Sequence, residues 1–160
     1  MAGKIIKDAS LLLQYIEDLK KQHNKIVFTN GGFNILHVGH IRCLQEAKRL
    51  GDVLVVAVNS DDSLRRLKGA QYPLIPEDER LEVLAALACV DVLTLFSEPT
   101  VDSLLLKLQP HIHAKGTDYT KESVPERATV LSYGGEIAIV GDAKNHASSS
   151  IIRRIRQSQS

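Results

Sequence analysis

The sequence predicts an α/β fold, a Rossmann-like open parallel sheet of about five strands with helices on both faces. Three observations lead there. Apolar strand-like runs alternate with helical patterns along the chain. The run Val53-Leu54-Val55-Val56-Ala57-Val58 has no polar alternation, as expected of a parallel strand covered on both sides. Glycine-containing or polar turns follow the strands at residues 29–40, 59–61 and 115–116, where such folds hold their ligands, at the carboxyl edge of the sheet.

The elements follow in order. Asp8 caps a helix over about residues 9–23, with Leu12, Leu13, Ile16 and Leu19 on one face. Residues 25–29 form the first strand, and a helix runs over about 38–50, closed by Gly51 as a C′ residue. Residues 53–58 are the second strand and 61–67 a short helix. Pro76 opens the next helix with Glu77, Asp78 and Glu79 near the positive end of its dipole, and it extends to about residue 88. Strands at 91–96, 111–114 and 136–140 alternate with helices at 101–108 and near 126–133. Residues 115–125 read as a polar loop, and a last helix covers about 148–157. With 160 residues, no repeats and no linker, one domain over residues 1–160 is expected.

Composition narrows the partners. Apolar residues make up 44% and charged residues 24%, which is ordinary globular chemistry. A net charge of +1 supplies no broad cationic field for nucleic acid. No apolar run has the length of a membrane span, and the first residues lack the apolar core of a signal peptide, so a cytoplasmic location is expected. Cys43 and Cys89 form no CxxC pair and read as buried free thiols. A dehydrogenase would need GxGxxG after the first strand, and a P-loop kinase GxxxxGK[ST]; neither is present.

The most informative segment is Thr29-Asn30-Gly31-Gly32-Phe33-Asn34, leading through His37 and Gly39 to His40. It lies where a strand gives way to a helix. A helix start offers unpaired N–H groups and the positive end of the peptide dipoles, which suits phosphate. Two imidazoles beside those amides can follow a polyphosphate as its charge shifts. A zinc site is disfavoured, because no third ligand has convincing spacing. His111 and His113 alternate on a strand and face one side, with packing or solvent contact as their expected role.

The stretch Gly-x-Phe-Asn-x-x-His-x-Gly-His resembles the HxGH signature of the cytidylyltransferase-like nucleotidyltransferases. Further segments are similar to the branch of that family that makes ADP-heptose: 58–61, 65–69, 76–80, 84–91, Lys115-Gly116-Thr117-Asp118-Tyr119 and Ser148-Ser149-Ser150-Ile151-Ile152. The likeness covers nearly the whole chain from about residue 26. It implies the nucleotidyltransferase fold, transfer of AMP from ATP to D-glycero-β-D-manno-heptose 1-phosphate with release of pyrophosphate, magnesium on the triphosphate and a homodimer. It also implies a stand-alone form without the sugar kinase fused to it in many relatives.

The resemblance further implies residue roles. His37 and His40 donate to the α- and β-phosphates, and Lys68 reaches the phosphates. Arg80, Ser148, Ser149 and Ser150 hold the β- and γ-phosphates. Thr29, Asn30, Gly31, Gly32 and Phe33 line the nucleotide, with Asn34, Gly39, Asn59, Asp61, Lys115, Gly116, Asp118 and Tyr119 around it. Plainer readings stand beside these: Lys68 as a solvated lysine, Arg80 as a helix-face ion pair, the serines as a helix cap. Asn34, Tyr72 and His146 depart from the family pattern, which usually has Asp, Arg and Gly there. Two other functions are compatible: a cytidylyltransferase acting on glycerol 3-phosphate or a related alcohol phosphate, and a nucleotide-binding module with degenerate catalysis, the latter favoured by Asn34.

Overall fold

The computed structural model describes residues 2–143 and 146–159. Its elements are β1 (Lys4–Ile5), α1 (Ala9–Lys21), β2 (Ile26–Gly31), α2 (Val38–Arg49), β3 (Val53–Asn59), α3 (Asp61–Lys68) and α4 (Glu77–Ala85). The chain continues through β4 (Val92–Phe96), α5 (Asp102–Leu108), β5 (Ile112–Gly116), α6 (Arg127–Ser132), β6 (Glu136–Val140) and α7 (Ser148–Ser158). The sheet has six strands in the order β1-β4-β3-β2-β5-β6, and every pair is parallel.

Strand alternation builds two cores, one on each face. Ile26, Phe28, Val53, Val55 and Ala57 meet Leu12, Ile16, Leu105 and Val130 from α1, α5 and α6. Val27, Leu54, Val56 and Val58 meet Leu44, Leu81 and Leu84 from α2 and α4. A period of two thus makes β2 and β3 apolar throughout, as a doubly covered parallel strand requires. The chain leaves β2 toward β3 and β4, then returns to β5 and β6 on the other side. The crevice at this reversal opens beyond the carboxyl ends of β2 and β5.

Beyond shifts of a residue or two at element ends, three features differ from the sequence reading. β1 is a sixth strand, held on the edge by Lys4 and Ile6 amides donating to the Asp91 and Leu93 carbonyls. Lys115 and Gly116 belong to β5 rather than to the loop after it. α4 stops at Ala85, with Pro76 at its N-cap position. Gly51 follows the Leu50 C-cap as the expected C′ residue, without a positive φ; a Cβ there would sit 2.7 Å from the Lys25 carbonyl oxygen, so close approach is what demands glycine. Asp8 caps α1 as expected, accepting from the Leu11 amide at 2.8 Å.

Candidate active site

β2 ends at Gly31, and the turn that follows delivers His37 to the N-cap of α2 in an extended conformation. Phe33 in this turn has φ +50, a left-handed backbone that costs a non-glycine residue about 1 kcal/mol or more. Its ring lies 5.3 Å from that of His40 and close over Gly31, where a Cβ would come within 3.1 Å of it.

The helix start fixes both imidazoles. His37 Nδ1 accepts from the Gly39 amide at 3.1 Å, and His40 Nδ1 accepts from the His37 amide at 3.3 Å. This is a reciprocal capping box with histidines in place of Ser and Glu. The rings lie 3.9 Å apart, centroid to centroid. Gly39 is required by the arrangement, since a Cβ there would lie 2.8 Å from His37 Cε1. Because each Nδ1 is an acceptor, each neutral ring carries its proton on Nε2. Burial, aided by His37 and Lys68 nearby, pushes His40 down to about 4. Burial and then His146 lower His37 as well. Near neutral pH the pair therefore presents two neutral N–H donors.

Two cavities meet beside these rings. The first, about 410 Å³, is lined by His37, Gly39, Asp142, His146, Ser148 and Ser149, among others. It lies against the N-termini of α2 and α7. The second, about 440 Å³, is lined by Thr29, Asn30, Gly31, Gly32, Phe33, Lys115 and Tyr119, among others, at the ends of β2 and β5. His40, Cys43, Lys68, Gly116 and Asp118 belong to both.

Most of the residues singled out in the sequence come together here; Arg80, Asn34, Asn59, Asp61 and Ser150 line neither cavity. Arg80 is 2% exposed. Its guanidinium donates to the carbonyls of Ile75, Gly32 and Asn59 and pairs with Asp61 at 2.8 Å. Each nitrogen of the fork thus has a partner in the scaffold, which favours a structural strut over the phosphate-holding role expected for it. Asp61 is the acid of that pair, and Asn59 donates from its side chain to Ser63. Asn34 is buried, and its Oδ1 accepts from the Leu74 amide at 2.7 Å, so its departure from Asp acts on the 69–76 strap rather than on a phosphate. Ala147, not a serine, is the N-cap of α7, and Ser148 Oγ donates to the Ile35 carbonyl. Tyr72 lies on the strap, with Lys68 Nζ 5.9 Å from its ring centroid.

Several lining residues had no sequence signal of their own. Cys43 stands half-buried in the shared wall, with its thiol pushed up to about 11 by burial and by Glu46, which keeps it protonated. Val140 ends β6 and residues 141–143 follow it at the same sheet edge, where Asp142 pairs with Arg42. The rule that ligands bind at carboxyl ends of strands, applied to β6, points to them. His111 and His113 separate in role. His111 precedes β5 and accepts the Ile26 amide at Nδ1, whereas His113 is fully buried against Phe28.

Buried neutral histidines tie stability to pH. His113 is pushed down to about 3 by burial and then by Lys115, with Asp102 partly opposing, and His40 to about 4. The unfolded chain takes up these protons near the ordinary 6.5, so at lower pH it binds more protons than the native state. This contribution is therefore full above about pH 6.5 and is lost as pH falls toward about 4 and then about 3. Thermal melts should show a decline over that window, and His113→Leu should flatten it. Equal slopes for the two proteins would show that this ring does not carry the effect.

A parallel sheet with a histidine pair at a helix start beside two adjoining cavities defines the nucleotidyltransferase class of α/β domain. The chain belongs to the cytidylyltransferase-like family, whose model matches residues 28–155. It is 48% identical over 150 residues to the bifunctional protein HldE of Pelobacter propionicus, covering 94% of this chain and 31% of that protein. The chain thus spans about a third of the length of the curated relatives it matches. Among solved structures, the lipopolysaccharide core biosynthesis protein of Thermoplasma volcanium is similar at TM-score 0.65 and 29% identity, over 76% of this chain and 99% of that one. Pantothenate synthetase of Thermus thermophilus shares the fold at TM-score 0.69 and 16% identity, over 97% and 70% of the two chains.

Proposed function

We propose that the chain transfers AMP from ATP to D-glycero-β-D-manno-heptose 1-phosphate, releasing pyrophosphate and forming ADP-heptose. The observation that carries this reading is the meeting of two cavities at His40 and Lys68. A transfer between two phosphates needs both substrates to touch at the reacting phosphorus and nowhere else. The choice of ATP and heptose is supported by the motifs shared with the ADP-heptose-forming branch of the family and by the 48% identity to the bifunctional protein HldE.

In this reading ATP occupies the first cavity. Its triphosphate lies at the N-termini of α2 and α7, where free amides and the helix dipoles favour negative charge. Ser148 and Ser149 lie at that end of the cavity. The sugar phosphate occupies the second, so in this reading Thr29, Asn30, Gly31, Gly32 and Phe33 face the acceptor rather than lining the nucleotide as the resemblance implied. One of its phosphate oxygens attacks the α-phosphorus in line. The new P–O bond forms as the bond to the bridging oxygen breaks, and pyrophosphate leaves with that electron pair. The attacking oxygen is already an anion, so no side chain has to remove a proton. The chain's task is position and charge: Nε2–H of His37 and His40 donate to the phosphate oxygens, and the Lys68 ammonium offsets the growing charge. Magnesium would ride on the triphosphate, held by phosphate oxygens and water, and would neutralise part of its charge. The described side chains offer no cluster of three acids, histidines or cysteines to cage it, and Asp142 at the cavity wall is committed to Arg42.

Asn34 lines neither cavity, and its side chain holds the Leu74 amide of the strap instead. No helix among the described residues is long and apolar enough to cross a membrane. Small-molecule chemistry in the cytoplasm, where ATP is, by a homodimer completes the proposal; sedimentation checks the dimer. The test of the reaction is pyrophosphate release with magnesium and heptose 1-phosphate, comparing ATP with CTP. Release with ATP alone is expected. Release with CTP alone would move the chain to the cytidylyl branch, and release with neither would overturn the reading.

A further inference from the structure

Behind the lining of the second cavity lies a buried polar group that the transfer chemistry does not use. His113 on β5 is fully buried, edge-on to Phe28 with centroids 5.7 Å apart. Its Nε2 lies 3.0 Å from Asn30 Oδ1, and its Nδ1 has no partner. Lys115, two residues along the same strand face, reaches the same oxygen at 3.4 Å and Glu126 at 3.7 Å. A lone unpaired ring nitrogen in a core costs stability, and an aliphatic side chain at this position would avoid that cost. The one polar contact His113 makes among the described residues is the one to Asn30.

That contact has a directional consequence. A lysine ammonium can only donate, so the Asn30 atom facing it is the carbonyl oxygen. His113 Nε2 faces the same oxygen and must therefore donate too. With Oδ1 taken twice, the Asn30 carboxamide nitrogen is left over. It has no protein partner among the described residues, and Asn30 lines the second cavity beside Thr29, Lys115 and Tyr119.

We infer that Asn30 is a specificity-determining residue for the sugar-phosphate acceptor, donating from Nδ2 to a sugar oxygen, and that His113 is the positioning residue that holds its carboxamide in that orientation. The inference rests on the proposed assignment of the second cavity to the acceptor. The phosphate end of the acceptor meets His40 and Lys68 at the shared wall, so its hydroxylated body extends toward Asn30. A site built to donate to a sugar oxygen rejects analogues lacking it, because the donor is then buried unpaired. Burial keeps His113 neutral, so the orienting bond persists at neutral pH.

Steady-state kinetics of the full chain with magnesium, ATP and heptose 1-phosphate test this, with a melting curve for each variant. His113→Leu removes the orienting donor; His113→Gln places an amide N–H near the same point. Asn30→Asp keeps the shape and the accepting oxygen but replaces the donating NH2 with a second acceptor. His113→Leu and Asn30→Asp should each raise KM for the sugar phosphate about tenfold or more, with KM for ATP within about twofold. His113→Gln should recover most of the loss. A role in packing alone would lower the melting temperature and leave the ratio of the two KM values unchanged, which would overturn the inference. Should His113→Leu not fold, an unchanged sugar-phosphate KM in Asn30→Asp overturns it. Wild-type protein that releases no pyrophosphate overturns the adenylyltransferase reading, and this inference with it. Wild-type turnover with unaltered variants overturns this inference alone.

Discussion

Replacing His40 with alanine is expected to slow turnover by about 10²–10³-fold while leaving a folded protein. The ring lines both cavities and is the one imidazole among the described residues that does so. Its Nδ1 is taken by the His37 amide, which leaves Nε2–H as its free donor. A donor preplaced where charge develops is worth far more in the transition state than in the ground state, so the loss should appear in kcat rather than in KM for ATP. The same substitution removes half of the capping box and should cost about 0.5–2 kcal/mol of stability. Pyrophosphate release and a melting curve on one preparation separate the two effects. A loss of tenfold or less from a folded variant would remove His40 from the chemistry.

Arg80→Met should be the most damaging change to the fold at the site edge. The side chain is nearly fully buried and stitches together the turn after β2, the end of β3 and the strap before α4. Without it the Asp61 carboxylate and three carbonyls lose their donor. Breaking a buried ion pair by removing one partner typically costs about 3–5 kcal/mol, and urea denaturation should show a loss of this size. Arg80→Lys keeps the charge but lacks the fork, so it should recover only part. A phosphate-gripping role makes the opposite forecast, in which stability holds and KM for ATP rises. Little change in the denaturation midpoint would count against the strut.

The contrast between these two residues shows what a sequence can disclose. The histidines sit in a local pattern whose chemistry is confined to one turn, so spacing alone placed them at a helix start. Arg80 sits in an equally suggestive motif, but its role is set by carbonyls 48 and 21 residues upstream, at Gly32 and Asn59. Nothing local distinguishes an arginine that grips a ligand from one that grips loops. The five longer strands were legible because apolar runs between turns are what a doubly covered sheet needs. β1 was not, because two residues held on a sheet edge carry no periodicity. Asn34 and Gly51 teach the same lesson at smaller scale: the position stood out, and the reason for it lay in a contact with a distant segment.

The two cavities are built by different parts of the chain. α2, the end of β6 and the start of α7 enclose the first, whereas the ends of β2 and β5 form most of the second. This division of labour gives evolution two nearly independent dials. Substitutions at the ends of β2 and β5 can retune the choice of acceptor while the nucleotide grip stays as it is, provided the shared wall of His40, Cys43, Lys68, Gly116 and Asp118 is kept. A lineage that copies such a domain inherits a ready nucleotide site and needs to reinvent only the other half.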